Sequence, residues 1–130
     1  MTHVPLVKAS EKHGAVDWLK ERLTSLVLVP LGLWGLWSAA VLSNAGYEGA
    51  RAWLAAPVNA WLLAITLLVS VWHLHLGLKV IVEDYIHRKG SARALLVANT
   101  LFCVLLAAAG VFFIVRVALG SAPLPAGIGV

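Results

Sequence analysis

Three long, mostly apolar stretches with almost no Asp, Glu, Lys or Arg dominate the pattern of apolar and polar positions along the chain. They cover residues 23–43, residues 58–78 with a helical continuation to about 82, and residues 94 to about 118, where Arg116 lies near the end. About 20 mostly apolar residues cross the hydrocarbon core of a bilayer as a helix. Because a segment in lipid must satisfy its own backbone polar groups, each stretch is predicted to be a transmembrane α-helix.

Short polar segments connect the predicted spans. The segment 44–57 carries Tyr47, Trp53 and Trp61 in or beside it, which are predicted to anchor the chain at the membrane interface. The segment 83–93 contains Gly90-Ser91, a pair typical of a turn. The sequence therefore predicts an all-α integral membrane protein with residues 1–130 as one domain.

The composition supports a membrane protein and excludes soluble, disordered and cysteine-stabilised classes of protein. Of the 130 residues, 61% are hydrophobic and 12% are charged, whereas about 25% of residues are charged in ordinary soluble domains. One small core cannot bury so much apolar surface, and a disordered chain would be far more polar. The single cysteine, Cys103, excludes a disulfide framework and a cysteine-based zinc site.

The basic residues are distributed unevenly between the two ends of the spans. Of the 10 Lys and Arg residues, eight lie in two clusters that the spans bring to one side, and only Arg51 and Arg116 lie on the other. The eight are Lys8, Lys12, Lys20, Arg22, Lys79, Arg88, Lys89 and Arg93. This asymmetry predicts a cytoplasmic or matrix N-terminus and an outer C-terminus. Because the charge is not spread over a folded face, no nucleic-acid partner is predicted.

Ionisable residues at membrane depth carry the information about function, and they concentrate in the second span. His73 and His75 are two positions apart, or about 200° around a helix, so they are predicted to face opposite ways. His75, Lys79 and Glu83 follow one another at four-residue spacing, which favours an ion pair between Lys79 and Glu83 at the helix surface.

His73 lies near the middle of the second span and has two interpretations. A neutral imidazole at this depth needs a hydrogen-bond partner, which a carbonyl or hydroxyl group on a neighbouring helix would supply. Alternatively, His73 is a ligand of a metal or a haem, and Gly77 one turn later leaves room for a flat macrocycle. A lone histidine with a glycine does not decide between the two.

Three residues near the predicted cytoplasmic boundary also have a structural and a functional interpretation. Tyr85 suits an interfacial anchor and Asp84 a solvated helix end, but together they offer a donor and a carboxylate to a membrane-dissolved quinone. Arg22 suits a positive anchor before the first span, or a partner for an acidic cofactor group such as a haem propionate.

These residues, taken together, resemble the small membrane-anchor subunit (the D, or small cytochrome b, subunit) of succinate dehydrogenase, complex II. His73, Gly77 and Glu83-Asp84-Tyr85 in the second of three spans match the family's His, Gly and Asp-Tyr spacing. The segment 17–25, which includes Arg22, is similar to the family's entry into its first span. Tyr85-Ile86-His87 resembles the form found in alphaproteobacterial and mitochondrial members.

The resemblance implies a role for each matching residue. His73 would be an axial ligand of the iron of haem b, Arg22 would lie near a haem propionate, Tyr85 would donate to ubiquinone, and Asp84 would belong to the proton supply of the quinone site. His75 matches no family ligand, and it is expected either to be structural or to act on the site only through another residue.

The resemblance also implies a cellular context. The expected partners are a large cytochrome b anchor subunit, which supplies the second axial histidine, an iron–sulfur subunit and a flavoprotein subunit. The expected location is a bacterial inner membrane, or the mitochondrial inner membrane. The sequence contains no flavin motif, cysteine cluster or candidate nucleophile, so no catalysis by this chain alone is predicted.

Two other functions stay open at this point. In a small proton-coupled transporter or channel subunit, His73, His75, Lys79 and Asp84 would form a proton path. In a purely structural anchor without haem, the quinone residues would matter and His73 would not.

Overall fold

Four helices make up the part of the chain that the structure, a computed structural model, describes: residues 9–120, with side chains from Gly14 onward. They are α1 (Ala9–Leu42), α2 (Gly46–Ala55), α3 (Pro57–Tyr85) and α4 (Lys89–Ala118). Helices α1, α3 and α4 are long and apolar enough to cross a membrane, and residues 9–120 contain no strand. The prediction of an all-α protein with three candidate spans is confirmed. Lys8 lies outside the described residues.

Helix α3 lies in the middle of the arrangement. It packs against α1 on one side and α4 on the other, whereas α1 and α4 do not contact each other anywhere in residues 9–120. The short helix α2 contacts all three long helices. At 29 residues α3 is about 44 Å long, so it exceeds the roughly 30 Å hydrocarbon core.

Few side chains are buried within the described part of the chain, and half of those are polar. The buried apolar residues are Val71, Leu76 and Cys103, and the buried polar residues are Thr24, Ser38 and Asn99. Large apolar side chains cover the outside instead, with Leu36 and Trp37 71% and 72% exposed. This distribution suits helices whose outer surface meets lipid or another membrane subunit and whose contacts use small and polar groups.

The α3–α4 contact depends on one glycine. A Cβ atom added at Gly110 would lie closer than van der Waals contact to Cδ2 of Leu67, and 3.3 Å from its Cγ. The absent side chain therefore lets Leu67 of α3 pack directly on the backbone of α4, as small residues do at contacts between membrane helices.

The connections differ from the sequence-based predictions in two places. Most of the predicted first loop is helix α2, where Trp53 stacks on Trp34 at 5.7 Å between ring centroids instead of standing free at the interface. Tyr47 and Trp61 are 75% and 71% exposed, as interfacial anchors require. The second turn consists of residues 86–88, and Gly90-Ser91 lies inside the first turn of α4.

The ends of the helices extend past the predicted spans. Helix α1 begins at Ala9 and continues through Pro30 without interruption, α3 includes the charged residues up to Tyr85, and α4 begins four residues before Arg93. A charged residue does not stop a helix that projects beyond the hydrocarbon core, so the apolar pattern marks the lipid-facing part of each helix and not its end.

Candidate functional site

An open groove between α1 and α3 brings together two of the residues that the sequence singled out. It has a volume of about 410 Å³ and is lined by Trp18, Glu21, Arg22 and Ser25 of α1 and by His73 of α3. The α1 residues share one face because they are spaced three and four positions apart. The guanidinium carbon of Arg22 lies 5.2 Å from the centroid of the Trp18 ring, so the arginine head is held beside the groove by a cation–π contact.

His73 lies two residues past the midpoint of α3, or about 3 Å along its axis. Its Nδ1 atom lies 2.9 Å from Oγ1 of Thr24, which is buried in the contact with α1. His73 therefore lies near the middle of its helix, as the sequence predicts. A hydroxyl group on a neighbouring helix also lies next to it, as a histidine at this position requires. This bond uses only one of the two ring nitrogens.

Gly77 leaves open space on the side of α3 that faces Glu21 of α1. The nearest atom that an added Cβ would meet is Oε1 of Glu21, at 4.0 Å. A side chain at position 77 would extend toward Glu21 and narrow the space beside His73.

His75 faces the opposite way, toward α4. The Asn99 side-chain nitrogen Nδ2 lies 3.0 Å from the His75 carbonyl oxygen and 3.1 Å from His75 Nδ1. The Asn99 oxygen in turn accepts from Cys103 Sγ at 3.5 Å. The predicted opposition of the two histidines is found, and His75 belongs to a hydrogen-bonded contact between α3 and α4.

Lys79 has a partner that the sequence pattern did not predict. Its Nζ atom lies 2.5 Å from Oδ2 of Asp17 on α1 and 3.9 Å from Oε1 of Glu83 on its own helix. The predicted pair with Glu83 exists, but the shorter and more enclosed bond joins two helices.

Asp84 and Tyr85 lie away from the groove, at the end of α3. Both are exposed, Tyr85 to 76%. Tyr85 lies twelve positions after His73, which corresponds to about 18 Å along the helix. The chain therefore presents two separate sites: the groove with Arg22 and His73, and the helix end with Asp84 and Tyr85.

Comparison with known proteins assigns this arrangement to a family. The family model for the succinate dehydrogenase/fumarate reductase transmembrane subunit matches residues 2–115. The chain belongs to this family. The resemblance seen in the sequence is thus confirmed, and with three candidate spans the chain is a multi-pass protein of the inner membrane.

Individual members of the family share about a third of their residues with the chain. The succinate dehydrogenase hydrophobic membrane anchor subunit of Rickettsia bellii is 34% identical over 96 residues, or 74% of this chain and 77% of the relative. The subunit of the same name from Rickettsia felis is 31% identical over 104 residues, or 80% and 86%. The succinate dehydrogenase membrane anchor subunit of Reclinomonas americana is 27% identical over 79 residues, or 58% and 66%. No solved structure gives a significant match.

Three contact residues in this family member were missed at the sequence level. Thr24 was noted only as part of the entry motif, although it lies three positions after Glu21, which lines the groove, and therefore near the same helix face. Asn99 was overlooked because only ionisable residues were considered, and an amide inside an apolar span is itself an indication of an interhelical hydrogen bond. Asp17 carries no local indication that its partner lies on α3.

Proposed function

We propose that this chain is a membrane-anchor subunit of a succinate:ubiquinone oxidoreductase, in which it holds one side of a b-type haem and lines the ubiquinone reduction site. The names of its relatives support the anchor role, since the proteins from Rickettsia and Reclinomonas are succinate dehydrogenase membrane anchor subunits. The observation that carries the haem proposal is the shared groove of His73 and Arg22.

The residues of the groove fit one side of a haem. No group of three or more His, Cys, Asp or Glu side chains placed to hold a metal ion lies among the described residues. Haem iron needs only axial ligands from the protein, because the porphyrin supplies the other four, and bundles commonly provide one histidine from each of two helices. His73 would supply one ligand, and Arg22 would pair with a propionate. The bound haem would supply one-electron chemistry.

The second axial ligand requires a partner subunit. The groove is formed by only two helices and is open, and large apolar side chains remain exposed along α1 and α4. A large cytochrome b anchor subunit would cover this surface and provide the other histidine. The flavoprotein and iron–sulfur subunits would bind at the end that carries Tyr85.

Asp84 and Tyr85 would serve the quinone. Reduction of ubiquinone to ubiquinol takes up two electrons and two protons, and each carbonyl oxygen becomes a hydroxyl. The exposed phenol of Tyr85 would donate a hydrogen bond to one carbonyl oxygen, and the Asp84 carboxyl group would pass protons from the aqueous side. The iron–sulfur subunit would close the pocket and deliver the electrons.

The haem proposal is tested by comparing two histidine variants in the complete complex. His73→Ala should abolish or change the b-type absorption spectrum, whereas His75→Ala, on the opposite face of the same helix, should retain it. An unaltered spectrum in His73→Ala would remove His73 as the ligand. Arg22→Gln should retain the haem but change its reduction potential, because a positive charge near a propionate is lost.

The quinone proposal is tested with two tyrosine variants. Tyr85→Phe should slow ubiquinone reduction while leaving succinate oxidation with a soluble acceptor, haem content and assembly unchanged. Tyr47→Phe is the matched control, because Tyr47 is equally exposed but lies on α2. Equal rates for Tyr85→Phe and the unmodified complex would exclude the phenol from the site.

A second candidate function is an anchor without haem. The hydrogen bond between His73 and Thr24 favours it, since it gives a structural histidine a hydroxyl partner on a neighbouring helix. A purified complex without a b-type absorption band would establish this function, and the Tyr85 test would still apply.

A further inference from the structure

Thr24 is the hydroxyl residue that contacts the proposed haem ligand. It is 5% exposed, and its Oγ1 atom lies 2.9 Å from each of three atoms: the carbonyl oxygens of Lys20 and Glu21 and the Nδ1 atom of His73. The hydroxyl group has one hydrogen and two lone pairs to share among these three neighbours.

The usual bonding of a threonine inside a helix favours one direction for the bond to His73. A carbonyl oxygen can only accept, and a threonine inside a helix commonly donates its hydroxyl hydrogen to the carbonyl three or four residues earlier. With the hydrogen directed at Lys20 or Glu21, the hydroxyl oxygen presents a lone pair to His73. The Nδ1 atom of His73 must then carry the proton and donate it, and Nε2 carries the free lone pair.

The other histidine of α3 has the opposite arrangement. The nitrogen of the Asn99 side chain is identified by its contact with the His75 carbonyl oxygen, which can only accept. Its second hydrogen points to Nδ1 of His75, which therefore accepts, so the His75 proton is on Nε2. Of the two histidines, only His73 offers an unprotonated Nε2.

We propose that Thr24 is a positioning residue that fixes the ring orientation and the tautomer of His73, so that Nε2 is the nitrogen that binds the haem iron. The inference rests on the proposed function, because it assigns a second residue to the same site. A hydrogen bond from the far nitrogen of a metal-bound histidine to an acceptor sets the tautomer and makes the ligand more basic. A more basic ligand stabilises oxidised iron relative to reduced iron.

The test compares Thr24 variants in the complete complex. Thr24→Val keeps the shape and removes the acceptor, so we expect an upward shift of the haem reduction potential and a loss of haem affinity of about 10- to 100-fold. Thr24→Ser keeps the hydroxyl group, so its haem reduction potential and haem affinity should match those of the unmodified complex. Thr24→Cys replaces the oxygen with a weaker acceptor and should shift the potential in the same direction by less.

Thr100→Val is the matched control. Thr100 of α4 also donates to the carbonyl four residues earlier, at 3.0 Å, but contacts neither His73 nor the groove. Thr100→Val should leave the haem reduction potential and the haem affinity unchanged. If Thr24 served only for packing, Thr24→Val would lower the stability of the complex. The haem reduction potential would then not depend on the hydroxyl group that Thr24→Ser retains.

The outcomes separate this inference from the proposed function. A b-type haem that depends on His73, together with an unchanged or lowered potential in both Thr24→Val and Thr24→Cys, overturns the positioning role and leaves the haem proposal intact. A haem spectrum that survives in His73→Ala overturns the haem proposal itself. If the complex with Thr24→Val does not assemble, the haem reduction potential of the Thr24→Cys complex alone tests the positioning role.

Discussion

Lys79 of α3 and Asp17 of α1 form an ion pair, with 2.5 Å between Nζ and Oδ2, at the end of the helices where the basic residues cluster. The two side chains are only 30% and 20% exposed, so the pair is partly shielded from water. It lies on the same pair of helices as the groove with His73, six residues further along α3. It therefore fixes the relative position of α1 and α3 independently of any bound group.

Removing the Lys79–Asp17 pair should loosen the contact between α1 and α3. We expect Lys79→Met and Asp17→Asn each to lower the stability of the complex, with a coupling free energy of about 1 kcal/mol in a double-mutant cycle. Thermal unfolding of the purified complex measures it. Glu83→Gln is the control, because Glu83 is 3.9 Å from Lys79 and 50% exposed. A coupling free energy near zero would show that the pair does not stabilise the contact.

A larger residue at position 110 should separate α3 from α4. Gly110→Leu introduces a side chain where Leu67 already packs, and overpacking of this kind costs about 1–3 kcal/mol. Adding Leu67→Ala to Gly110→Leu should recover part of the lost stability, because Leu67→Ala removes the side chain that occupies the same space. Thermal unfolding of the three complexes checks this, and a double variant no more stable than Gly110→Leu would contradict the proposed contact.

Loss of the Asn99 amide should weaken the same helix pair without touching the haem. Asn99→Leu removes both hydrogen bonds to His75 and leaves its Nδ1 without a donor. Interhelical hydrogen bonds in membranes contribute about 1 kcal/mol, so a stability loss of this size is expected. The absorption spectrum should stay unchanged, since Asn99 lies on the opposite side of α3 from His73. A changed spectrum would contradict the separation of the two histidines.

Helix α2 should depend on a cap supplied by α3. The Asn59 side-chain nitrogen donates to the Trp53 carbonyl near the end of α2 at 3.0 Å, in addition to the Ala56 backbone N–H, which donates to the same oxygen at 3.3 Å. Asn59→Ala removes about 1 kcal/mol, so amide hydrogen exchange in α2 should accelerate about fivefold. Asn44→Ala, at an exposed position before α2, is the control. Equal exchange in the two variants would exclude the cap.

The spans and the opposition of His73 and His75 were predictable because both follow from local rules. Lipid selects long apolar helices, and helix geometry alone puts neighbours two positions apart on different faces. The bonds to Thr24, Asp17 and Asn99 were not predictable, since each joins helices whose packing no local pattern specifies. Helix α2 was missed because Gly46, Gly49 and Pro57 are typical of a loop, whereas packing of Trp53 on Trp34 favours a helix.

The placement of α3 between α1 and α4 bears on how the protein is made. Each long helix packs only against the long helix next to it in sequence, within residues 9–120. The groove with Arg22 and His73 uses only α1 and α3, so all of its lining residues are synthesised before α4. Membrane insertion can therefore proceed helix by helix, and a partner subunit or a haem has a finished surface to meet while the last helix is still being synthesised.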